Sequence, residues 1–591
     1  MLLQRAKQNT ARTSSIPAPI GGWNARDSLA AMQPMDAVQM INFYPTPTDV
    51  TLRKGWKKKS DGITGRVNTI MTYPSVVASE SYKLFGVAET AIWDATEATA
   101  VEVFSLLSDS KLQFVNFAND AGNWIVACNG VDPVTVYDGT NWFFLATTET
   151  AKTISSITHV GTTATLNTST AHGLITGNQV TISGATPSAY NGTFVITKVD
   201  ADTFTYTMAS NPGADASVMG SYTVLGITGI DSSKFINVNL FKNRLYFTEK
   251  DSLNCWYMPV DSIGGAASPL RFGGIARSGG YLQAMGTWTL DAGQGADDYA
   301  VFVTSMGEIM VYNGTDPNTA DTWALKGVWQ LGQTFSRRCF HKWAGDLLLL
   351  TQDGIVPLAS ALQSSRLDPR VNITDKIYYA VSQAATNYYA NFGWQILYYA
   401  SENMLILNIP VDSGMEQYVM HTITKSWARF TGIQAYCFVN SGDSDVHFGG
   451  DGFVGTYYTT NADNGNNITG AVQQAYSYFD SPGQLKRFTL VRPILQTNNG
   501  VPTVLCNIST DFQPVDNLGE VSFNPAILNI GVWDESNWDD ANWGGGLVTT
   551  RIWQGVTGIG FSGSINMTVA SQGIEFHWAS TDYVMEAGGV V

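Results

Sequence analysis

Short apolar runs broken by tight turns set the rhythm of this chain. From about residue 67, strand-length segments of Val, Ile, Leu, Phe and Tyr are followed by Gly, Asp or Asn and then by a second such segment. Examples are NWIVACNGVDPVTVYDGTNWFFL (Asn123 to Leu145), YAVFVTSMGEIMVYNG (Tyr299 to Gly314) and GDLLLLTQDGIVPL (Gly345 to Leu358). Each predicts a strand, a tight turn and a returning strand. Antiparallel units repeated at this spacing suit radial packing, which buries both faces of each sheet and leaves only short edges. A β-propeller is the predicted core, and roughly 330 residues of such pattern would hold about six to eight blades of 40 to 50 residues.

The rhythm breaks in three places. Residues 151–224 hold sixteen threonines and only Lys152, Lys198, Asp200, Asp202 and Asp215 as charges, which predicts a small all-β module set into a propeller loop. After Thr374, read as a cap, Ile377, Val381, Ala384 and Tyr388 recur at helical spacing with Gly393 beyond, predicting a helix. A shorter helix is expected over Asp36 to Asn42. From about residue 471 the strand pattern changes and predicts a terminal β-sandwich. The expected fold is mainly β: an arm and docking segment over 1–66, propeller over 67–150, the inserted module over 151–224, propeller again over 225–470, and a C-terminal β domain over 471–591.

Length and charge sharpen this picture. At 591 residues the chain exceeds what one core usually supports. Its formal net charge of −16 argues against a surface that coats nucleic acid, since phosphate binding is driven by Lys and Arg. Residues 1–60 nevertheless carry nine Lys and Arg against three Asp, a local +6 that leaves −22 on the remainder. Such asymmetry suits either a basic arm seated on an acidic partner or a solvated basic terminus. Cys128, Cys255, Cys339, Cys437 and Cys506 are far apart and read as scattered buried thiols. With no apolar run of membrane-spanning length and no apolar centre behind Met1, a soluble protein made in a cytoplasm is expected.

The chemical signals are weak. His159, His172, His341, His421, His447 and His577 are too dispersed for a metal-binding helix, and His172 is expected to stabilise a turn. No phosphate-binding loop with its lysine occurs, and GFSGS at Gly560 to Ser564 lacks the second glycine of a nucleophile elbow. No cofactor, metal or catalytic residue is expected. Asp443, Asp445 and Asp451 lie in turns that could gather around calcium, but a plain hairpin is the preferred reading. Trp533, Trp538 and Trp543 recur every five residues beside acidic pairs, a pattern read as packing or a partner-facing loop before a glycan platform. The run Arg53 to Lys59 could touch nucleic acid, a solvated loop or an acidic protein neighbour.

The most informative stretch is Gly21 to Trp56, GGWNARDSLAAMQPMDAVQMINFYPTPTDVTLRKGW, which holds no nucleophile, metal cluster or phosphate loop and reads as an assembly element. Gly21, Gly22, Trp23, Asn42, Arg53, Lys54 and Trp56 are its candidate assembly contacts. Its layout, with Gly21-Gly22, Asp36-Ala37, Asn42, Leu52-Arg53 and Gly55, resembles the N-terminus of the tail nozzle, or tail tubular protein B, family of short-tailed bacteriophages. The inserted segment resembles a module common in phage tail proteins through Thr170-Ala171-His172-Gly173-Leu174, Gly177-Asn178-Gln179-Val180, Tyr190-Asn191-Gly192-Thr193-Phe194 and Thr203-Phe204-Thr205-Tyr206. LDPRVNITDKI (Leu367 to Ile377) and KRFTLVRPI (Lys486 to Ile494) share the style of such virion proteins.

That resemblance implies a non-enzymatic structural protein of the virion tail, assembled in the host cytoplasm. It implies a homohexameric ring built around a propeller, docked to the tail adaptor and to fibres, and facing the host envelope at the tail tip. Double-stranded DNA would pass through its channel without sequence-specific binding, and an acidic wall would keep that DNA from sticking. Two other classes compete: a receptor- or glycan-binding propeller, and a glycan-degrading propeller enzyme. The enzyme predicts S-x-D-x-G-x-T-W repeats, and the sequence has none.

Overall fold

The computed structural model describes residues 11–74, 82–291, 296–319, 321–361, 372–441, 445–498, 500–513, 519–520 and 547–590. Among these residues the fold is almost entirely β, and its core is a propeller. Seven antiparallel sheets follow one another around an axis. Blade I comprises the second half of the long strand Gly55–Pro74 with Tyr82–Ala88, Ala91–Asp94 and Val101–Phe104. Blade II runs from Gln113–Asn119 to Trp142–Phe144, blade III from Phe235–Phe241 to Ser268–Arg271, and blade IV from Leu282–Asp291 to Trp323–Gln330. Blade V has three strands, Phe340–Trp343, Asp346–Thr351 and Gly354–Pro357, and blade VI runs from Gln395–Tyr399 to Trp427–Phe430.

Blade VII closes the circle with help from the other end of the chain. Phe438–Asn440, Val446–Gly449 and Asp451–Thr460 supply three of its strands, and the fourth is the first half of Gly55–Pro74, which pairs Thr460 with Gly55 and Asp451 with Arg66. The same strand then passes into blade I, where Val67 pairs with Ala88 and Pro74 with Tyr82. Gly62 and Gly65 allow that passage, at φ of 89° and 84°. A strand shared by first and last blades locks the ring, because opening it would break two sheets at once.

The inserted module leaves the chain after blade II and returns before blade III. Two small sheets, one built from Ile154–Val160, Thr163–Thr168, Thr203–Thr207 and Thr197–Lys198, the other from Gln179–Ser183, Gly192–Val195 and Ser221–Val224, enclose a core of their own. Leu166, Val180, Ile182, Phe204 and Tyr222 fill it. The module begins and ends where the Thr-rich composition does, and its two ends are bridged at Ala146 and Gly226.

The C-terminal strands form a sandwich, and the opening segment is part of it. One sheet joins Ala11–Pro17, Phe43–Pro45 and Val50–Leu52 to Phe576–Val590, Gln484–Thr497, Val548–Thr550 and Gln554–Gly560. The other joins Asp36–Ile41 to Ile468–Gln474, Gly563–Ser571 and Thr503–Thr510. Phe43, Val50, Val472, Phe488, Ile565 and Trp578 are buried between them. Residues 1–66 are therefore no separate arm: the described part divides between the sandwich and blade VII, and the C-terminal share of the sandwich begins at Ile468. The expected helix over Asp36 to Asn42 is instead the strand Asp36–Ile41. A ladder to Ile468–Gln474 on one side, with pairing to Gly22–Trp23 and to Arg429 of blade VI on the other, overrides the local helix propensity of its residues.

The helix expected after Thr374 holds. A single 3-10 turn, Asp375–Ile377, leads into the α-helix Tyr378–Tyr388, with Ile377, Val381 and Ala384 buried. Thr374 does not cap it: its hydroxyl is turned to blade V, where it accepts a hydrogen bond from the Ile355 amide at 3.2 Å.

Candidate functional site

The opening motif forms a clasp between the sandwich and blades VI and VII. Its centre is Arg53, only 2% exposed. Arg53 Nε donates to Asn42 Oδ1 at 2.9 Å, Nη1 to the Lys54 carbonyl at 3.1 Å and to Asp463 Oδ1 at 2.8 Å, and Nη2 to the Thr431 carbonyl at 3.0 Å and to Asp463 Oδ2 at 2.6 Å. Each of the five guanidinium donors thus has an acceptor, and the carboxylate is gripped at both oxygens. A charge this deeply buried is tolerable only when so fully partnered.

Asn42 completes the hub. It sits at φ 57°, a conformation that Asn adopts more readily than most residues. Its Oδ1 accepts from Arg53 and from the Thr431 amide at 2.8 Å, and its Nδ2 donates to the Thr469 carbonyl at 2.8 Å. The glycines of the motif are demanded by backbone approach. A Cβ on Gly55 would lie 2.1 Å from the Ala462 carbonyl oxygen, and one on Gly22, at φ 77°, would lie 2.6 Å from that of Trp427. Gly21 is pressed against Met35 and Asp36, and Lys376 Nζ donates to its carbonyl and to Asp36 Oδ1, both at 2.6 Å. Arg26 pairs with Asp27 and Asp375, which raise its pKa, with the Asp27 hydrogen bond the largest cause.

Of the seven candidate assembly contacts, Gly22, Asn42 and Arg53 are thus buried within their own chain, so any part they take in assembly is indirect. Trp23 meets Tyr418 edge to face at 5.1 Å, and Trp56 stacks on Phe453 with centroids 5.0 Å apart. Lys54 pairs with Glu402 at 2.8 Å. Lys57 and Lys58 remain exposed on the outermost strand of blade VII, where lysines also discourage stray pairing to a sheet edge. Trp533, Trp538, Trp543 and Asp443 lie outside the described residues. Gly449 ends a blade VII strand, and Gly450 to Phe453 form the hairpin turn, with the Gly450 amide donating to the Phe453 carbonyl at 2.9 Å.

A second clasp joins the opening segment to the last strand. His577 lies between Asp49 Oδ2 at 2.7 Å and Glu575 Oε1 at 2.9 Å. The Asp49 hydrogen bond leads in raising the His577 pKa against the effect of burial. Burial pushes Asp49 upward, but its hydrogen bonds to His577 and Thr46 outweigh that and leave it lowered.

Side chains from every blade meet at the propeller axis. Ile70, Phe114, Val238, Met285, Phe340, Ile396 and Phe438, one from the innermost strand of each blade, surround a cavity of about 220 Å³. That volume is far too small for a DNA duplex, whose major groove alone is about 12 Å wide. Arginines preceding blade V bind the far side of the axis. Arg338 Nη2 donates to the Asn68 carbonyl at 3.1 Å, Thr69 Oγ1 at 3.0 Å and the Leu112 carbonyl at 3.2 Å, while Arg337 Nη1 donates to the Asn129 carbonyl at 2.9 Å. Burial lowers the Arg338 pKa. His341, whose Nε2 accepts from the Tyr398 amide at 2.9 Å, is pushed down by burial to about 4 and stays neutral at physiological pH.

In the module, His172 does what its place in the motif predicts. Its Nδ1 accepts from the Leu174 amide at 2.9 Å and its Nε2 faces the Thr203 carbonyl at 3.4 Å, which assigns the proton to Nε2. The sequence pattern missed the partners of Arg53 and His577 and the arginines at the axis. Arg337-Arg338 is a visible dipeptide, but no local feature marks it as axial.

Three solved structures illustrate what the chain is similar to. YCF48 from Cyanidioschyzon merolae shares 11% identity over 68% of this chain and 98% of that one, with a TM-score of 0.26. Saccharomyces cerevisiae Sqt1 shares 12% over 68% and 99%, at 0.31, and Chaetomium thermophilum Raptor 10% over 70% and 29%, at 0.32. No family model and no curated protein matches the chain.

Proposed function

We propose that this chain is a structural, non-catalytic subunit of the distal ring, or nozzle, of a short phage tail. In this reading copies assemble into a homohexamer that docks to the tail adaptor and fibres, faces the host envelope, and conducts and gates double-stranded DNA during ejection. The observation that carries the reading is the clasp: Gly21, Gly22, Asn42, Arg53 and Gly55, spread over the opening segment, each have a specific place in one junction between propeller and sandwich. The motif on which the resemblance rests is thereby a single structural unit, and it makes a stiff building block of two domains.

The narrow axis constrains how such a ring works. DNA cannot thread the propeller of one copy, so the conduit lies between copies, lined by an acidic chain that like-charged DNA does not adhere to. Electron microscopy of the purified full-length protein tests this reading. Class averages are expected to show a six-fold ring with an axial opening; isolated monomers at every concentration would overturn it in favour of a receptor- or glycan-binding propeller.

A further inference from the structure

The arginines of this chain follow a rule with one exception. Among the described residues, Arg53, Arg244, Arg429 and Arg492 are buried or half-buried, and each is paired with a carboxylate, Asp463, Asp316, Glu416 and Asp582 in turn. Arg12, Arg66, Arg271, Arg277 and Arg551 lack such a partner and are exposed, as an unpaired guanidinium ordinarily is. Arg337 and Arg338 are half-buried, and neither forms an ion pair among the described residues.

Both side chains line the axial cavity of about 220 Å³, and no Asp or Glu stands on its wall. Backbone carbonyls hold the pair in place, that of Asn129 for Arg337 and those of Asn68 and Leu112 for Arg338. A carbonyl accepts a hydrogen bond but brings no full negative charge, so two adjacent cations remain unbalanced. Arg338 Nη1 is buried without a hydrogen-bond partner, where Arg53 has an acceptor for every donor.

The other groups on the wall do not restore the balance. Burial pushes the Cys437 thiol up to about 11, so it is neutral, and Sγ donates to the Val67 carbonyl at 3.5 Å. His341 is neutral as well, and because its Nε2 accepts from the Tyr398 amide its proton is on Nδ1. The arginines leave the segment before blade V and reach across the axis to carbonyls of blades I and II. A counter-ion held there ties opposite sides of the circle together.

We infer that the axial cavity binds a small inorganic oxyanion of the phosphate or sulfate class against Arg337 and Arg338, and that the ion braces the propeller across its centre. Guanidinium groups match the oxygens of such ions in pairs, which favours them over a spherical anion. The inference does not depend on the ring reading.

The test uses full-length protein in buffer free of phosphate and sulfate. Inorganic phosphate is added at constant ionic strength, balanced by chloride. A ligand of the folded state raises Tm with its concentration, and a rise of about 2 °C or more is expected. Phosphorus NMR reads binding directly: the phosphate resonance broadens with protein present, and equal sulfate reverses the broadening. Arg337→Gln and Arg338→Gln are each expected to weaken binding about tenfold, the loss of one charge-assisted contact. Lys57→Gln, exposed on blade VII, is expected to leave it unchanged.

Where an arginine variant loses its cooperative melt, wild-type crystals soaked in selenate locate the ion by anomalous scattering. Density against Arg337 and Arg338 is the expected result. Density only elsewhere, or a phosphate response that both variants retain, would overturn the axial site. A wild type on which phosphate acts no differently from chloride would overturn the oxyanion.

Discussion

Where the opening segment meets blades VI and VII and the last strand of the sandwich, the chain is held by polar contacts across enormous sequence distances. Arg53 and Asp463 are 410 residues apart, and Asp49 and His577 are 528 apart. The inserted module is built the opposite way. Its core residues lie between Ala146 and Val224, its ends meet at Ala146 and Gly226, and it turns a row of hydroxyls to solvent. The clasp spends its distinctive residues on internal connections and has little left to offer a partner. The module closes its core almost entirely with its own residues and meets blade II at Phe144, to which Gly177 and Asn178 are hydrogen-bonded.

Deleting each region separates the two most sharply. Removing residues 1–53 takes strands out of both sandwich sheets and removes Arg53, so loss of the folded sandwich is expected, read as aggregation or loss of the cooperative melt. Replacing 151–224 by a short glycine-serine link is expected to leave the propeller folded, with Tm within a few degrees of wild type, because Ala146 and Gly226 already lie side by side. The excised module should melt cooperatively by itself. Equal damage from the two deletions would end the contrast.

A single substitution asks the same question with less disruption. Arg53→Ala leaves Asp463 and the Thr431 carbonyl without their donors in a buried setting, for an expected loss of about 3–5 kcal/mol in chemical denaturation. Thr181→Ala, on the exposed module face, is expected to change stability by no more than about 0.5 kcal/mol. A loss near zero for Arg53→Ala would mean that the clasp ornaments the junction without holding it.

What could be read from the sequence follows the same division. The hairpins, the module and the helix around Val381 and Ala384 were legible because their partners lie within a few residues or a few dozen, and period 2 or 3.6 marks the buried side. The clasp was not. Asp36 to Ile41 looks helical by itself, and only pairing with Ile468–Gln474 and Arg429 makes it a strand. Arg53 among lysines looks like part of a basic surface until Asn42, Thr431 and Asp463 close around it. The glycines were legible as a motif but not as contacts, since Gly55 is required by the carbonyl of Ala462, more than 400 positions later in the chain.

The smallest expected effect concerns pH at the second clasp, and it sharpens the contrast because it isolates one long-range contact. His577 has a folded pKa raised above the usual 6.5, so its contribution is fully present below 6.5 and fades as pH rises through the folded value. Asp49 is held below 3.8, so its contribution is present above 3.8 and fades as pH falls through its folded value. The pair is therefore complete in mildly acidic solution and weakens as pH rises through the folded pKa of His577. His577→Gln removes the ionisable ring and with it this dependence. Wild type is expected to exceed the variant in Tm at pH 5.5, with the gap narrowing by pH 8.5, and amide exchange in Val50–Leu52 should quicken over the same range in wild type alone. A gap that stays constant across that range would show that the His577 ring acts there through packing, and the long-range contact would then owe nothing to charge.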